Sequence, residues 1–210
     1  MMLKEFEKRI LSSLILIPVA IFFIFKGTFF FNFFLIICLS ITLYEWQMMS
    51  KKKPYNIFGH IFLILSFYSA YLIRNEDEKS LYIFLAILLV CISTDIGGYI
   101  FGKILKGPKL TKISPKKTYS GVFGGYLLSI IVANFFIDYV DLNFHIEEFV
   151  IVIVISTISQ IGDITVSYFK RLSKLKNTGK LIPGHGGILD RIDGMIFAFP
   201  FFYIINLINQ

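Results

Sequence analysis

With 210 residues, 56% of them hydrophobic and only 17% charged, the chain lacks the polar surface that a soluble domain of its size presents to water. Such a domain carries about 45–50% apolar and about 25% charged residues, so much of this surface must face lipid, as the mean hydropathy of +0.72 also requires. The length suits one compact bundle, and the net charge of +7 reports membrane topology before it reports a partner. Cys38 and Cys91 each lie inside an apolar run and supply neither a disulfide framework nor a CxxC metal site.

A helix needs about 20 mainly apolar residues to cross the hydrocarbon core. Seven stretches qualify or come close, at 10–25, 29–44, 57–73, 81–101, 121–137, 149–166 and 192–208. The first two are short and would be joined by a tight hairpin around Lys26-Gly27-Thr28. Lys8-Arg9 before the first stretch resemble the start of a signal peptide, but the run continues through Ala20 to Phe25 with no small-residue cleavage site, so it reads as an uncleaved anchor. The expected fold class is therefore all-α, a polytopic transmembrane helix bundle of about seven spans. One integral membrane domain would comprise N-terminal helices over 1–92 and a catalytic region over 93–210 with two basic loops.

Sorting Lys and Arg by the loops between these stretches gives a strong asymmetry. Lys4, Lys8 and Arg9, then Lys51, Lys52 and Lys53, then Lys103, Lys106, Lys109, Lys112, Lys116 and Lys117, then Lys170, Arg171, Lys174, Lys176, Lys180 and Arg191 all fall on one side. Only Lys26, Arg74 and Lys79 fall on the other, among acidic residues that include Glu76-Asp77-Glu78, Asp138, Asp141, Glu147 and Glu148. By the positive-inside rule the N-terminus and the even-numbered loops are cytoplasmic.

Carboxylates within or beside spans are expensive and mark function. Asp95 lies in the fourth span, Asp163 near the end of the sixth, and Asp190 and Asp193 at the entrance to the seventh. Three residues apart, Asp190 and Asp193 would share a helix face. Such oxygen ligands suit a hard divalent cation such as Mg2+; the plainer alternative is an ion pair with a nearby cation, such as Asp190 with Lys170. The sixth loop joins Ser167, Lys170, Arg171 and Lys176 to Gly184-His185-Gly186-Gly187. Glycine-rich turns can offer backbone amides to phosphate, or can simply be turns. The fourth loop adds Lys116 and Lys117, then Gly121, Gly124 and Gly125, which either complete an anion site or permit close helix packing. Carboxylates, cations and amides gathered at one membrane face fit phosphoryl or nucleotidyl transfer onto a lipid.

The C-terminal stretch resembles the bacterial phosphatidate cytidylyltransferase family. The family pattern of Ser, Lys-Arg, Lys-Asp, then Pro-Gly-His-Gly-Gly leading to Asp-Arg-x-Asp runs here as Ser167, Lys170-Arg171, Lys176-Asn177, Pro183 to Gly187, and Asp190-Arg191-Ile192-Asp193. Gly162-Asp163, Asp95 to Lys103 and Ser114-Pro115-Lys116-Lys117-Thr118 match further parts of it. The resemblance implies transfer of cytidylyl from CTP to phosphatidate, giving CDP-diacylglycerol and pyrophosphate. It implies Asp163, Lys170, Arg171, Asp190 and Arg191 as catalytic residues, with Asp163, Asp190 and Asp193 as Mg2+ ligands. Lys116, Lys117, Ser167, Lys176, Gly184, His185, Gly186 and Gly187 would contact phosphates. A second, monovalent cation and a homodimer are left open, and the site would face the cytoplasm from the bacterial inner membrane. Asn177 stands where the family has Asp, and Val166 and Ser120 replace acidic or polar residues.

Three other readings compete. An ion-coupled transporter would show internal repeats with paired broken helices, and no repeat is evident. A catalytically weak, lipid-binding relative is suggested by Asn177, and a nucleotidyltransferase with another lipid acceptor is the nearest enzyme rival. No nucleic-acid partner is expected, because the basic loops are explained by the membrane face.

Overall fold

A computed structural model describes residues 2–75, 79–140, 146–184 and 186–208 of the chain. The described residues form helices α1 (Met2–Phe25), α2 (Thr28–Ser50), α3 (Asn56–Asn75), α4 (Ser80–Ile104), α5 (Tyr119–Tyr139), α6 (Ile146–Leu172), α7 (Leu189–Ile192) and α8 (Met195–Ile208), with no strand among them. The protein is an all-α membrane protein: α2, α3, α4, α5 and the Phe149–Leu172 part of α6 are long and apolar enough to span, and Leu14–Phe25 and α8 are shorter apolar helices. Large apolar side chains such as Phe29, Phe58 and Phe135 point outward, as a lipid-facing surface requires. The acidic residues Glu76-Asp77-Glu78 and Asp141 lie outside the described residues.

The helices differ from the expected stretches in three places that matter. The 192–208 stretch is broken, since α7 ends at Ile192 and α8 starts at Met195. At the break the Asp193 carboxylate accepts a hydrogen bond from its neighbour's amide, Gly194 N, at 3.1 Å. Short polar side chains that bond nearby backbone in this way compete with helix continuation. The sixth helix runs on to Leu172, so Ser167, Lys170 and Arg171 lie on helical turns and not in a loop. The second runs on to Ser50, which makes Glu45 helical.

The chain packs as two compact units, Met1–Tyr71 with Phe169–Ile192 and Leu72–Tyr168 with Asp193–Gln210. The segment Phe169–Ile192 thus packs with the N-terminal helices, across the sequence division at 92/93. In the first unit, α1 and α2 form the expected hairpin, turning at Gly27 with φ +115°. Phe23 stacks on Phe34 across it at 5.4 Å. Trp46 of α2 meets Phe169 edge-on at 5.2 Å, with Tyr55 4.9 Å from the same ring. The indole donates to the carbonyl of Asn56 at 2.9 Å, and Ser173 Oγ donates to the carbonyl of Met49 at 2.8 Å.

In the second unit, α4 and α5 approach through glycine. A Cβ on Gly121 would lie 2.7 Å from the Gly98 carbonyl, and one on Gly125 would lie 3.0 Å from that of Thr94. Small residues let membrane helices bring their backbones together, so the close-packing role of Gly121 and Gly125 is the one realised. Polar bonds add to it. Thr94 Oγ1 donates to Ser156 Oγ at 2.8 Å, and Tyr126 and Thr157 share a bond of 2.9 Å. Phe84 of α4 stacks on Phe199 of α8 at 5.0 Å.

Gly121→Val should force these two helices apart. Overpacking of this kind costs about 1–3 kcal/mol, and a lowered melting temperature in detergent, measured against Ser120→Ala as a neighbouring control, would register it.

Candidate active site

In the second unit, α6 carries Gln160, Asp163 and Ser167 on one face. Asp163 accepts on one oxygen from Lys117 Nζ at 2.6 Å and on the other from Ser167 Oγ at 3.3 Å. The ammonium of Lys117 also donates to the carbonyl of Gln160 at 3.3 Å. A small hairpin between α4 and α5 aims this lysine. Leu110 N donates to Lys117 O at 2.8 Å, Lys117 N closes a turn onto Ser114 O at 3.0 Å, and Tyr119 N donates to Pro108 O at 3.2 Å. Thr118 then caps α5, its hydroxyl accepting from Gly121 N at 3.1 Å. Lys116, one residue away, is exposed. Asp193 is buried, and its carbonyl lies against Gly162, where a Cβ would come within 2.7 Å. Asp163 and Asp193 therefore share a neighbourhood.

In the first unit, the end of α6 and the chain from 173 to 192 build a second cluster. Lys170 Nζ pairs with Asp190 Oδ1 at 2.8 Å, with side-chain exposures of only 9% and 5%. The other Asp190 oxygen accepts from Thr178 N at 2.8 Å and Gly187 N at 3.1 Å. Ile182 and Gly186 exchange two backbone bonds of 2.9 and 3.1 Å, which pinches the chain into a tight loop. Gly184 and Gly186 take φ of +78° and +93° to close it, a region that side chains resist. A Cβ on Gly186 would also meet Asp190 Oδ2 at 2.7 Å and Asn177 Cβ at 3.2 Å. Asn177 thus packs against Gly186 of this loop.

The amides of Gly186 and Gly187 depart from the phosphate-cradle expectation. Both are already engaged, the first by Ile182 O and the second by Asp190. The glycines serve here to bend the chain and admit side chains closely. His185 lies outside the described residues. Arg171, Lys176 and Arg191 are exposed, with Arg171 Nη1 donating to Leu175 O at 2.8 Å beyond the end of α6. The ion-pair alternative for Asp190 and Lys170 is realised, and Asp163 is paired in the same manner with Lys117.

Sequence reasoning missed Glu45. It lies on α2, 3% exposed, and accepts three hydrogen bonds: Thr178 Oγ1 at 2.9 Å, Ile188 N at 3.0 Å and Leu189 N at 2.9 Å. The expected span ended at Tyr44, so Glu45 fell just into the adjoining loop. The signal that could have found it is the run Tyr44-Glu45-Trp46, a carboxylate between two aromatics where a helix continues.

Among the described residues no three His, Cys, Asp or Glu side chains converge as a ready metal site. The donor chemistry nonetheless fits a hard cation. A carboxylate has about four lone-pair sites; Asp163 uses two and Asp190 three, so each keeps capacity for a further electrophile.

Removing the cation from a buried pair leaves an uncompensated charge, at a cost of about 3–5 kcal/mol. Lys170→Met should therefore lower thermal stability by several degrees in a melting assay, and adding Asp190→Leu should not recover it, because the Thr178 and Gly187 amides would then lose their acceptor.

Residues 55–208 match the family model described as the cytidylyltransferase family. A phosphatidate cytidylyltransferase of Staphylococcus epidermidis is 37% identical over 177 residues, covering 81% of this chain and 67% of that protein. One of Rickettsia felis is 36% identical over 218 residues, covering 95% of this chain and 92% of that protein. One of Rickettsia prowazekii is 36% identical over 174 residues, covering 78% and 75%. The match spans the motif residues of both clusters, from Lys117 and Asp163 to Asp190 and Asp193, and this chain belongs to the cytidylyltransferase family.

Proposed function

We propose that this chain transfers the cytidylyl group of CTP to phosphatidate, making CDP-diacylglycerol and pyrophosphate. The observation that carries the reading is the buried Lys170–Asp190 pair, flanked in sequence by exposed Arg171 and Arg191. These groups supply cations for phosphates from a surface that otherwise faces lipid. A phosphatidate oxygen attacks the α-phosphorus of CTP, the bond from that phosphorus to the β-bridging oxygen breaks, and pyrophosphate leaves with the electron pair. The nucleophile is already an anion, so no strong general base is needed.

Mg2+ is the proposed cofactor, with Asp163, Asp190 and Asp193 as the carboxylates that would hold it, and it would neutralise charge on the triphosphate. Lys170, Arg171, Lys176 and Arg191 orient phosphate oxygens, arginine being suited to gripping two at once. Lys116 and Lys117 serve the triphosphate or the lipid phosphate, and Ser167, Gly184, His185, Gly186 and Gly187 are further candidates for phosphate contact. The site faces the cytoplasm from the bacterial inner membrane, with the N-terminus on the same side. Support for this comes from the charge asymmetry of the loops.

Purified protein in detergent should convert labelled CTP and phosphatidate to CDP-diacylglycerol only when Mg2+ is added. Asp190→Asn should lower kcat by roughly 100-fold or more, the scale of a lost electrostatic contact to the reacting groups. Absence of product from folded protein would overturn the reading in favour of a lipid-binding relative. For the orientation, Lys180→Cys in intact cells should resist a membrane-impermeant maleimide and react once the membrane is opened; labelling in intact cells would reverse the topology.

A further inference from the structure

The structure assigns Glu45 as a positioning residue that holds the 177–190 segment in its working shape, an inference that rests on the cytidylyl-transfer reading. Glu45 lies upstream of the matched residues 55–208. Its carboxylate is almost wholly buried, and among the described residues no Lys or Arg lies within ion-pair distance of it. A buried carboxylate without a cation is costly unless hydrogen bonds satisfy it. Here three donors do so, and all three belong to the catalytic segment: the Thr178 hydroxyl and the amides of Ile188 and Leu189.

The surroundings are shaped for this carboxylate. A Cβ on Gly179 would come within 2.6 Å of Glu45 Oε1, and one on Gly187 would collide with Oε2 and with Thr178 Oγ1. Glycine at both positions is what lets the carboxylate enter. Thr178 joins it to the charged pair described above, since the Thr178 hydroxyl serves Glu45 while its amide serves Asp190. Gly187, Ile188 and Leu189 are divided likewise: the first amide goes to Asp190 and the next two to Glu45. Two carboxylates from distant parts of the chain therefore grip four backbone amides and one hydroxyl. Glu45 accepts no hydrogen bond from any side chain proposed to contact substrate; its three donors are the Thr178 hydroxyl and the Ile188 and Leu189 amides. It acts by fixing Thr178 and the start of α7, which in turn fix Asp190 and its bond to Lys170.

Glu45→Gln tests this, because glutamine keeps the volume but turns an NH2 group toward donors that need an acceptor. The expected result is a kcat per folded molecule lower by about 10- to 100-fold, the range for groups that orient a ligand, with the KM for phosphatidate little changed. The Mg2+ concentration giving half-maximal rate should rise. Independently of turnover, trypsin should cut the variant several-fold faster at Lys174, Lys176 or Lys180. Thr178→Val removes the bridging hydroxyl and should reproduce these effects, whereas Thr178→Ser should not. The double variant Glu45→Gln with Thr178→Val should be no worse than the more impaired single one, because both break the same linkage.

A purely structural role would lower the melting temperature while leaving kcat per folded molecule and the trypsin rate as in the unaltered protein, and that result would overturn the assignment. Should Glu45→Gln fail to fold, Thr178→Val carries the same comparison. An unaltered protein that makes no CDP-diacylglycerol would sink the reaction assignment, while the trypsin comparison would still decide whether Glu45 holds the segment.

Discussion

Backbone that leaves a helix and is buried must find hydrogen-bond partners, because an unpaired buried N–H or C=O costs about as much as a lost hydrogen bond. Between α6 and α8 the chain from 173 to 194 is helical only over the short α7, and side-chain carboxylates meet much of its requirement. Glu45 takes the amides of Ile188 and Leu189, Asp190 takes those of Thr178 and Gly187, and Asp193 takes that of Gly194. The acidic residues that stand out as chemical candidates are thus also the acceptors that allow the loop to exist. Catalytic potential and local folding are carried by the same atoms.

Lysine plays the complementary part. Lys117 reaches Asp163 from a hairpin closed by backbone bonds, and Lys170 reaches Asp190 from the last turns of a long helix. Each carboxylate is left partly occupied. An aspartate paired in this way is held in place, and it retains lone pairs for a more strongly charged partner. The cations are held no less firmly, so an arriving anion meets ammonium groups already in place.

Much of this was legible in the residues. Hydropathy and the loop charges pointed to an all-helical membrane protein, and the motif from Ser167 to Asp193 pointed to the family. The boundaries were not legible, for a physical reason: apolar content marks the part of a helix that meets lipid, whereas helices α2 and α6 continue through polar turns that face protein. Glu45, Ser167 and Lys170 all sit on those continuations. The break at Asp193-Gly194 was hidden by the opposite effect, since the residues after it are apolar and read as one run with those before. Composition left two readings of Gly186 and Gly187, amides open to phosphate or a plain turn. Their true partners, Ile182 O and Asp190, depend on a loop closure that no spacing rule reports. Close packing of Gly121 and Gly125 was one of two readings and could be chosen only once the α4 backbone was seen against them.

The contact between Glu45 and the start of α7 bears on where the chain can be cut. A fragment beginning near residue 93 would contain the motif from Ser167 to Asp193, yet it would lack the acceptor for two amides and a hydroxyl at the heart of that motif. Supplying residues 1–75 as a separate piece would restore the acceptor together with the aromatic seat that Trp46 and Tyr55 make for Phe169. Helix α2, which lies before the family match, therefore supplies a carboxylate on which the shape of the 177–190 segment depends.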